Sequence, residues 1–170
     1  MTPYVLTVDA GTKDLRAADH LLRTLASELV LPEGVFGCTH LVRDERPHVA
    51  LSFALESERA RTAVRAGLVA QGYEVTDGAP DEAGRAVLYP GAPALTGTLT
   101  VADVLSGSAI DTVKVLGAQG DPAPDMALVT RDHVRPQWQH GRLVLAVMPA
   151  VGGTLVPFEN PDPTPCCADH

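Results

Sequence analysis

Cysteine and histidine are the side chains of this chain best suited to chemistry, and all three cysteines lie close to a histidine at one of two places. Cys38 and His40 stand one residue apart in VFGCTHLVR, and PTPCCADH ends the sequence with a cysteine pair and a histidine. If the first segment is a strand, Cys38 and His40 share a face and lie about 7 Å apart at the backbone. That spacing allows one tetrahedral ion to bind both side chains.

The sequence therefore predicts a metal site for zinc or copper, since soft thiolates and borderline imidazoles match those ions. The expected ligands are Cys38, His40, Cys166, Cys167 and His170. The spacing lacks the paired C-x-x-C motifs typical of zinc, and adjacent cysteines seldom bind one ion together because their side chains diverge. A thiol redox role for the terminal pair and a purely structural role for Cys38 therefore stay open.

Two other classes of function remain beside a small metal-binding accessory protein. A cysteine-dependent enzyme would use Cys38 or Cys167 as the nucleophile and His40 or His170 as its base. A Ser-His-Asp triad is compatible with the composition, but no local motif indicates one. A metal-free interaction module would use the face or edge of a sheet to bind a partner or a second copy of the chain.

The segment VDAGTKD resembles the phosphate-contacting turn of the actin-like sugar kinases. That architecture needs two large α/β domains, for which 170 residues are too few. Asp9 and Gly11 are instead expected to form a turn between a strand and a helix, and no nucleotide cofactor is expected.

Composition indicates a globular protein, with 45% hydrophobic and 20% charged residues. Net charge is −8 and acids exceed bases in both halves, which argues against a nucleic-acid partner. The chain shows neither a membrane-spanning run nor a signal peptide, so we expect no membrane partner and a cytoplasmic location. Arginine outnumbers lysine 11 to 2, a usage to which no function is assigned.

Hydrophobic spacing predicts β-α-β-β-α-β over residues 3–77. The first helix carries Leu15, Leu22 and Leu25 on one face, and the strand HVALSFAL places alternate apolar residues in the same core. Asp14 or Thr12 is expected to cap the first helix, and Ser57 the second. This order is similar to the ferredoxin-like fold, in which two helices cover a four-stranded antiparallel sheet.

The sequence changes character after the turn-rich segment GAPDEAGR. Short β-like runs separated by turns predict an antiparallel β-rich half, with one short helix after Thr100. The segment RDHVRPQWQHG is expected to form a polar hairpin end that holds His133 and His140, with Trp138 packing inward. The expected organisation is a ferredoxin-like domain at 1–78, a β-rich domain packed on it at 79–159, and an extended proline-rich tail at 160–170. The fold class is therefore expected to be α+β.

Overall fold

The structure is a computed structural model that describes residues 4–161. These residues form a mixed α+β fold with three α-helices and an 11-stranded, mostly antiparallel sheet. The helices are α1 (Leu15–Leu29), α2 (Glu58–Ala70) and α3 (Val101–Gly107). The strands are β1 (Tyr4–Thr12), β2 (Phe36–Val42), β3 (His48–Leu55), β4 (Val75–Asp77), β5 (Arg85–Leu88), β6 (Thr98–Thr100), β7 (Thr112–Val115), β8 (Ala127–Val129), β9 (Gln137–Gln139), β10 (Arg142–Ala150) and β11 (Thr154–Pro157).

The predicted helix starts follow from local capping. The Asp14 carboxylate accepts a hydrogen bond from the backbone amide of Ala17, and the Ser57 hydroxyl accepts one from that of Ala60. Each bond satisfies an amide that the first helical turn leaves unpaired. Thr100 caps α3 with a reciprocal bond to Asp103, so the short helix begins where the sequence predicts it.

The helices α1 and α2 pack on one face of the sheet. Buried side chains of both helices, including Leu22 and Leu68, meet Leu51 and Phe53 of β3 in one hydrophobic cluster. Leu25 and Val49 belong to the same cluster, and Leu15 packs against it half-buried, as the periodicity predicts. We call this side of the sheet the helix face.

The sheet has the strand order β4-β1-β3-β2-β5-β9-β10-β11-β8-β6, and β7 pairs with β10. The pairing of β2 with β5 joins the first four strands to the rest, so one continuous sheet crosses the segment where a domain boundary is predicted. The division at residue 78 stays a prediction.

The expectation of an all-antiparallel second half is wrong at two pairings. β7 lies parallel to β10, and β8 lies parallel to β11. β7 and β8 follow one another in the sequence but are not neighbours in the sheet. β7 pairs with β10, whereas β8 pairs with β11 and β6. Alternating apolar residues predict the strands but do not encode which of them pair.

The second hydrophobic cluster lies in the C-terminal part of the described residues and includes Val113, Leu143 and Leu155. Trp138 packs against it half-buried and contacts the Phe36 ring at a centroid distance of 5.3 Å, in agreement with the predicted inward-facing aromatic. The tail at 162–170 lies outside the described residues. None of the helices within 4–161 combines the length and apolar character that a membrane crossing requires.

Candidate functional site

Cys38 and His40 lie on β2 and point to the face of the sheet opposite the helix face. Both residues are 4% exposed, and both lie against Gly84 of the loop before β5. A Cβ built on Gly84 would come within 3.0 Å of the Cys38 Cβ and 2.9 Å of the His40 Cε1, so only glycine fits this position. The expected shared face of the two residues is therefore observed.

His40 forms a hydrogen-bonded chain with Ser52 and Asp81, which we call the histidine relay. The His40 Nδ1 lies 3.0 Å from Asp81 Oδ1, and its Nε2 lies 2.7 Å from the Ser52 Oγ. An ionised carboxylate only accepts, so Nδ1 donates to Asp81 and Nε2 accepts from the hydroxyl when the ring is neutral. This order of groups is that of a Ser-His-Asp triad, although Ser52 is only 4% exposed and lines neither of the two cavities described below.

The Cys38 thiol is held in its neutral form. Burial raises its pKa to about 12, although hydrogen bonding with Trp138 and Ser52 opposes that rise. A thiolate is the reactive and metal-binding form of cysteine, so this environment favours a packing role for Cys38 at neutral pH.

The predicted metal site is only partly within the structure. Cys166, Cys167 and His170 lie outside the described residues, and no group of three or more potential metal ligands occurs within 4–161. Both ring nitrogens of His40 have partners, so a metal ion at His40 would have to displace Ser52 or Asp81. The five-residue site stays a prediction.

The helix face carries a different polar group, centred on Arg85 of β5. Its guanidinium donates to Asp19 of α1 at 2.7 and 3.0 Å, to both carboxylate oxygens of Glu159 at 2.6 Å, and to the Thr39 hydroxyl at 3.2 Å. These bonds use all five N–H groups of the arginine. Burial disfavours the charge of Arg85, but the bonds to Glu159 and Asp19 outweigh burial and raise its pKa further.

Asp19 joins Arg85 to a second buried arginine. Arg135, in the loop between β8 and β9, donates from Nε to the Asp19 carboxylate at 3.1 Å. Burial alone would raise the pKa of Asp19, but its bonds to Arg85 and its proximity to Arg135 hold that pKa below the usual value. For Arg135 the balance is reversed, since burial and the nearby charges of Arg85 and Arg23 lower its pKa despite the attraction of Asp19.

Glu159 completes this group with a contact to His133. The Nε2 of His133 lies 2.6 Å from Glu159 Oε2, and the carboxylate also receives the two bonds from Arg85. Burial opposes ionisation of Glu159, but the bonds to Arg85 and His133 hold its pKa below the usual value. Asp19, Arg85, Arg135, Glu159 and His133 together are called the ion cluster below.

The ion cluster lines a cavity of about 770 Å³ between α1, the loop between β8 and β9, and the segment after β11. Five of the chain's 11 arginines line it, against three carboxylates, in a protein of net charge −8. The arginines are Arg16, Arg23, Arg85, Arg131 and Arg135. This arginine cavity therefore concentrates positive charge, with an excess of two even when its two histidines are neutral.

Three of these arginines have no carboxylate partner among residues 4–161. Arg16, Arg23 and Arg131 form no ion pair with any residue in the described range, whereas Arg85 and Arg135 do. Arg16 and Arg23 stand seven positions apart on α1, two helical turns, so they share a face of that helix with Asp19. The exposed arginines at the rim of the cavity therefore make the rim cationic, whereas the charges of the ion cluster at its floor nearly cancel.

The loop that carries Arg131 is held in an unfavourable backbone conformation. Arg131 and Asp132 both have positive φ, 57° and 54°, a region that non-glycine residues rarely adopt. The Asp132 carboxylate accepts from the Gly97 amide at 2.8 Å, and the buried Thr130 donates to the Gly97 carbonyl at 2.7 Å. These bonds fix the loop, and backbone strain of this kind is more frequent at functional sites.

Sequence reasoning assigned no function to the arginines that converge here. Two features of the sequence could have indicated these arginines. Arg85 begins the apolar strand RAVL, where a charged residue must find a partner, and RDHVRP places two arginines within five residues of a turn. His133 was expected at a polar hairpin end, whereas it lies against Glu159 in the cavity wall.

Comparison of the chain with protein-family models, curated proteins and solved structures found no match. The geometry of the site therefore carries the functional argument alone.

Proposed function

We propose that this protein binds a small molecule bearing at least two negative charges, as phosphate or carboxylate groups, in the arginine cavity. One observation carries the proposal: Arg16, Arg23 and Arg131 line the cavity without carboxylate partners among the described residues. The cavity has an excess of two positive charges, which a dianionic ligand would neutralise.

The chemistry of arginine supports an oxyanion as the ligand. A guanidinium is planar and always charged, and it binds carboxylate and phosphate through paired N–H groups. The bonds to Asp19 and to the Val134 carbonyl hold the Arg135 side chain in place, and its Nη2 has no hydrogen-bond acceptor among the described residues. Such an arginine is oriented before the ligand arrives, which lowers the entropy lost on binding.

The lowered pKa of Arg135 agrees with this proposal. Burial and the charges of Arg85 and Arg23 destabilise its protonated form. A bound anion beside Arg135 would remove part of that repulsion, so binding would relieve an electrostatic cost already present in the fold.

Isothermal titration calorimetry with pyrophosphate at low ionic strength tests the proposal. We expect one binding event per chain, weakened by added salt because charges are screened. Arg23→Gln and Arg131→Gln should each weaken binding about tenfold or more, since each removes a charge-assisted hydrogen bond to the anion. Both side chains are exposed, so neither change should affect folding.

Arg43→Gln is the matched control, because Arg43 is also exposed but lies outside the cavity. It should bind pyrophosphate as the wild type does. An equal loss of binding in all three variants would indicate a general effect of net charge and would contradict a specific site, as would the absence of binding to the wild type.

The strand order of the first four strands supports a second, structural proposal, that residues 1–78 form the ferredoxin-like unit predicted from the sequence. The order β4-β1-β3-β2 with α1 and α2 packed on one face is the arrangement expected of that fold. Expression of residues 1–78 alone, with amide hydrogen exchange as the readout, tests whether this unit folds independently.

A further inference from the structure

A second cavity, of about 870 Å³, adjoins the arginine cavity. Arg23, Asp132 and Arg135 line both, so the two cavities meet at these side chains. Apolar residues form most of the remaining wall, among them Leu31, Val87, Tyr89, Leu95 and Val134. We call it the apolar cavity.

Four charged side chains line the apolar cavity: Arg23, Asp132 and Arg135 lie where it meets the arginine cavity, and Glu33 lines the apolar cavity alone. The Tyr89 hydroxyl already has a hydrogen-bond acceptor, since it donates to the Val134 carbonyl at 2.9 Å. Burial raises the pKa of Tyr89 above its usual value. Tyr89 therefore presents its ring and not a free hydroxyl to a ligand. A molecule that fills this space has to be apolar along its body and charged at the arginine end.

The segment that forms one side of the apolar cavity is held rigidly. Gly91 has a φ of +85°, and a Cβ at this position would come within 2.1 Å of the Gly107 carbonyl oxygen at the end of α3. Two prolines, Pro90 and Pro93, restrict the backbone on either side. A wall of this kind is largely formed before binding, as in most small-molecule sites.

We propose that the ligand is an amphipathic molecule with one carboxylate at Arg23 and Arg135, its second negative charge at the rim of the arginine cavity, and its hydrocarbon chain in the apolar cavity. This inference rests on the proposed anion binding and names the class of molecule bound. Charge complementarity fixes the orientation, because the arginines stand at one end of an otherwise mostly apolar space. Burial of the chain supplies affinity that a short anion cannot obtain.

A series of straight-chain carboxylates tests the inference by calorimetry, with acetate, hexanoate and decanoate below their micelle concentrations. Each buried methylene should tighten binding about fourfold at most, so decanoate should bind on the order of a hundredfold more tightly than hexanoate. Decanoate should also compete with pyrophosphate, because both need Arg23 and Arg135.

Ala92→Phe provides the matched variant, since Ala92 is half-buried in the wall of the apolar cavity and a larger ring would fill it. This variant should lose the dependence on chain length and keep pyrophosphate binding, which also shows that it folds. Ala102→Phe, exposed on α3 and outside both cavities, should behave as the wild type.

If pyrophosphate binds but decanoate binds no more tightly than acetate, the inference is overturned and the anion site stands. If none of these anions binds, the proposed function fails together with the inference. Chain-length dependence that survives in Ala92→Phe would also overturn the assignment, because the chain would then lie elsewhere.

Discussion

The two faces of the sheet carry two polar groups that differ in access: one lines a cavity, and the other is enclosed. On the helix face, the ion cluster joins two arginines to two carboxylates and opens into a cavity with further arginines on its rim. On the other face, the histidine relay joins Ser52, His40 and Asp81 under the loop before β5, and Ser52 lines neither cavity.

Strand β2 contributes to both groups through the alternation of its side chains. Cys38 and His40 point to the closed face, and Thr39 between them points to Arg85 and the ion cluster. Cys38 and His40, whose types suggest chemistry, are thus enclosed, whereas the accessible site is built from arginines. A reactive type of side chain indicates function only where a ligand can reach it.

The largest effect is expected when Asp19 is removed from the ion cluster. Asp19→Ala leaves Arg85 and Arg135 close together without their shared carboxylate, and loss of one partner from a buried ion pair costs about 3–5 kcal/mol. The free energy of unfolding measured in urea checks this. Glu28→Ala, exposed on the same helix, is the control and should change stability little; a similar small change in both would show that the cluster contributes little.

A smaller effect is expected from acid, because the pKa values of Asp19 and Glu159 are held low in the folded state. A carboxyl group with a lowered folded pKa stabilises the fold above its unfolded pKa of about 4, and that contribution is lost as pH falls below it. The urea midpoint should therefore fall from pH 5 towards pH 3.

Glu159→Gln is the comparison for this acid effect. It lacks one of the two titrating carboxylates, so its urea midpoint should decline less steeply than that of the wild type over the same pH range. An identical decline in both proteins would show that Glu159 does not contribute to the pH dependence.

The smallest effect is expected in the histidine relay. Ser52→Ala leaves the buried His40 Nε2 without its partner, at a cost of about 1–3 kcal/mol in the free energy of unfolding. Pyrophosphate binding should be unchanged, because the relay lies on the face opposite the arginine cavity. Ser27→Ala, an exposed position on α1, is the control for stability. If Ser52→Ala abolished binding, the two polar groups could not be treated as separate.

Local patterns in the sequence predicted much of the fold. The leucine spacing of α1, the alternation in HVALSFAL and the caps at Asp14 and Ser57 all act over a few residues, so they can be read without knowledge of distant contacts. The shared face of Cys38 and His40 followed from the same rule for strands.

Contacts between distant residues could not be predicted in this way. Arg85 meets Asp19 and Glu159 across 66 and 74 positions of the chain, and the parallel pairing of β7 with β10 depends on the path of the intervening loops. Sequence by itself determined the elements and the solvent preference of their faces, because these depend on neighbouring residues. Tertiary structure alone decided that the arginines converge on one cavity while Cys38 and His40 are enclosed, because burial and charge pairing depend on which elements pack together.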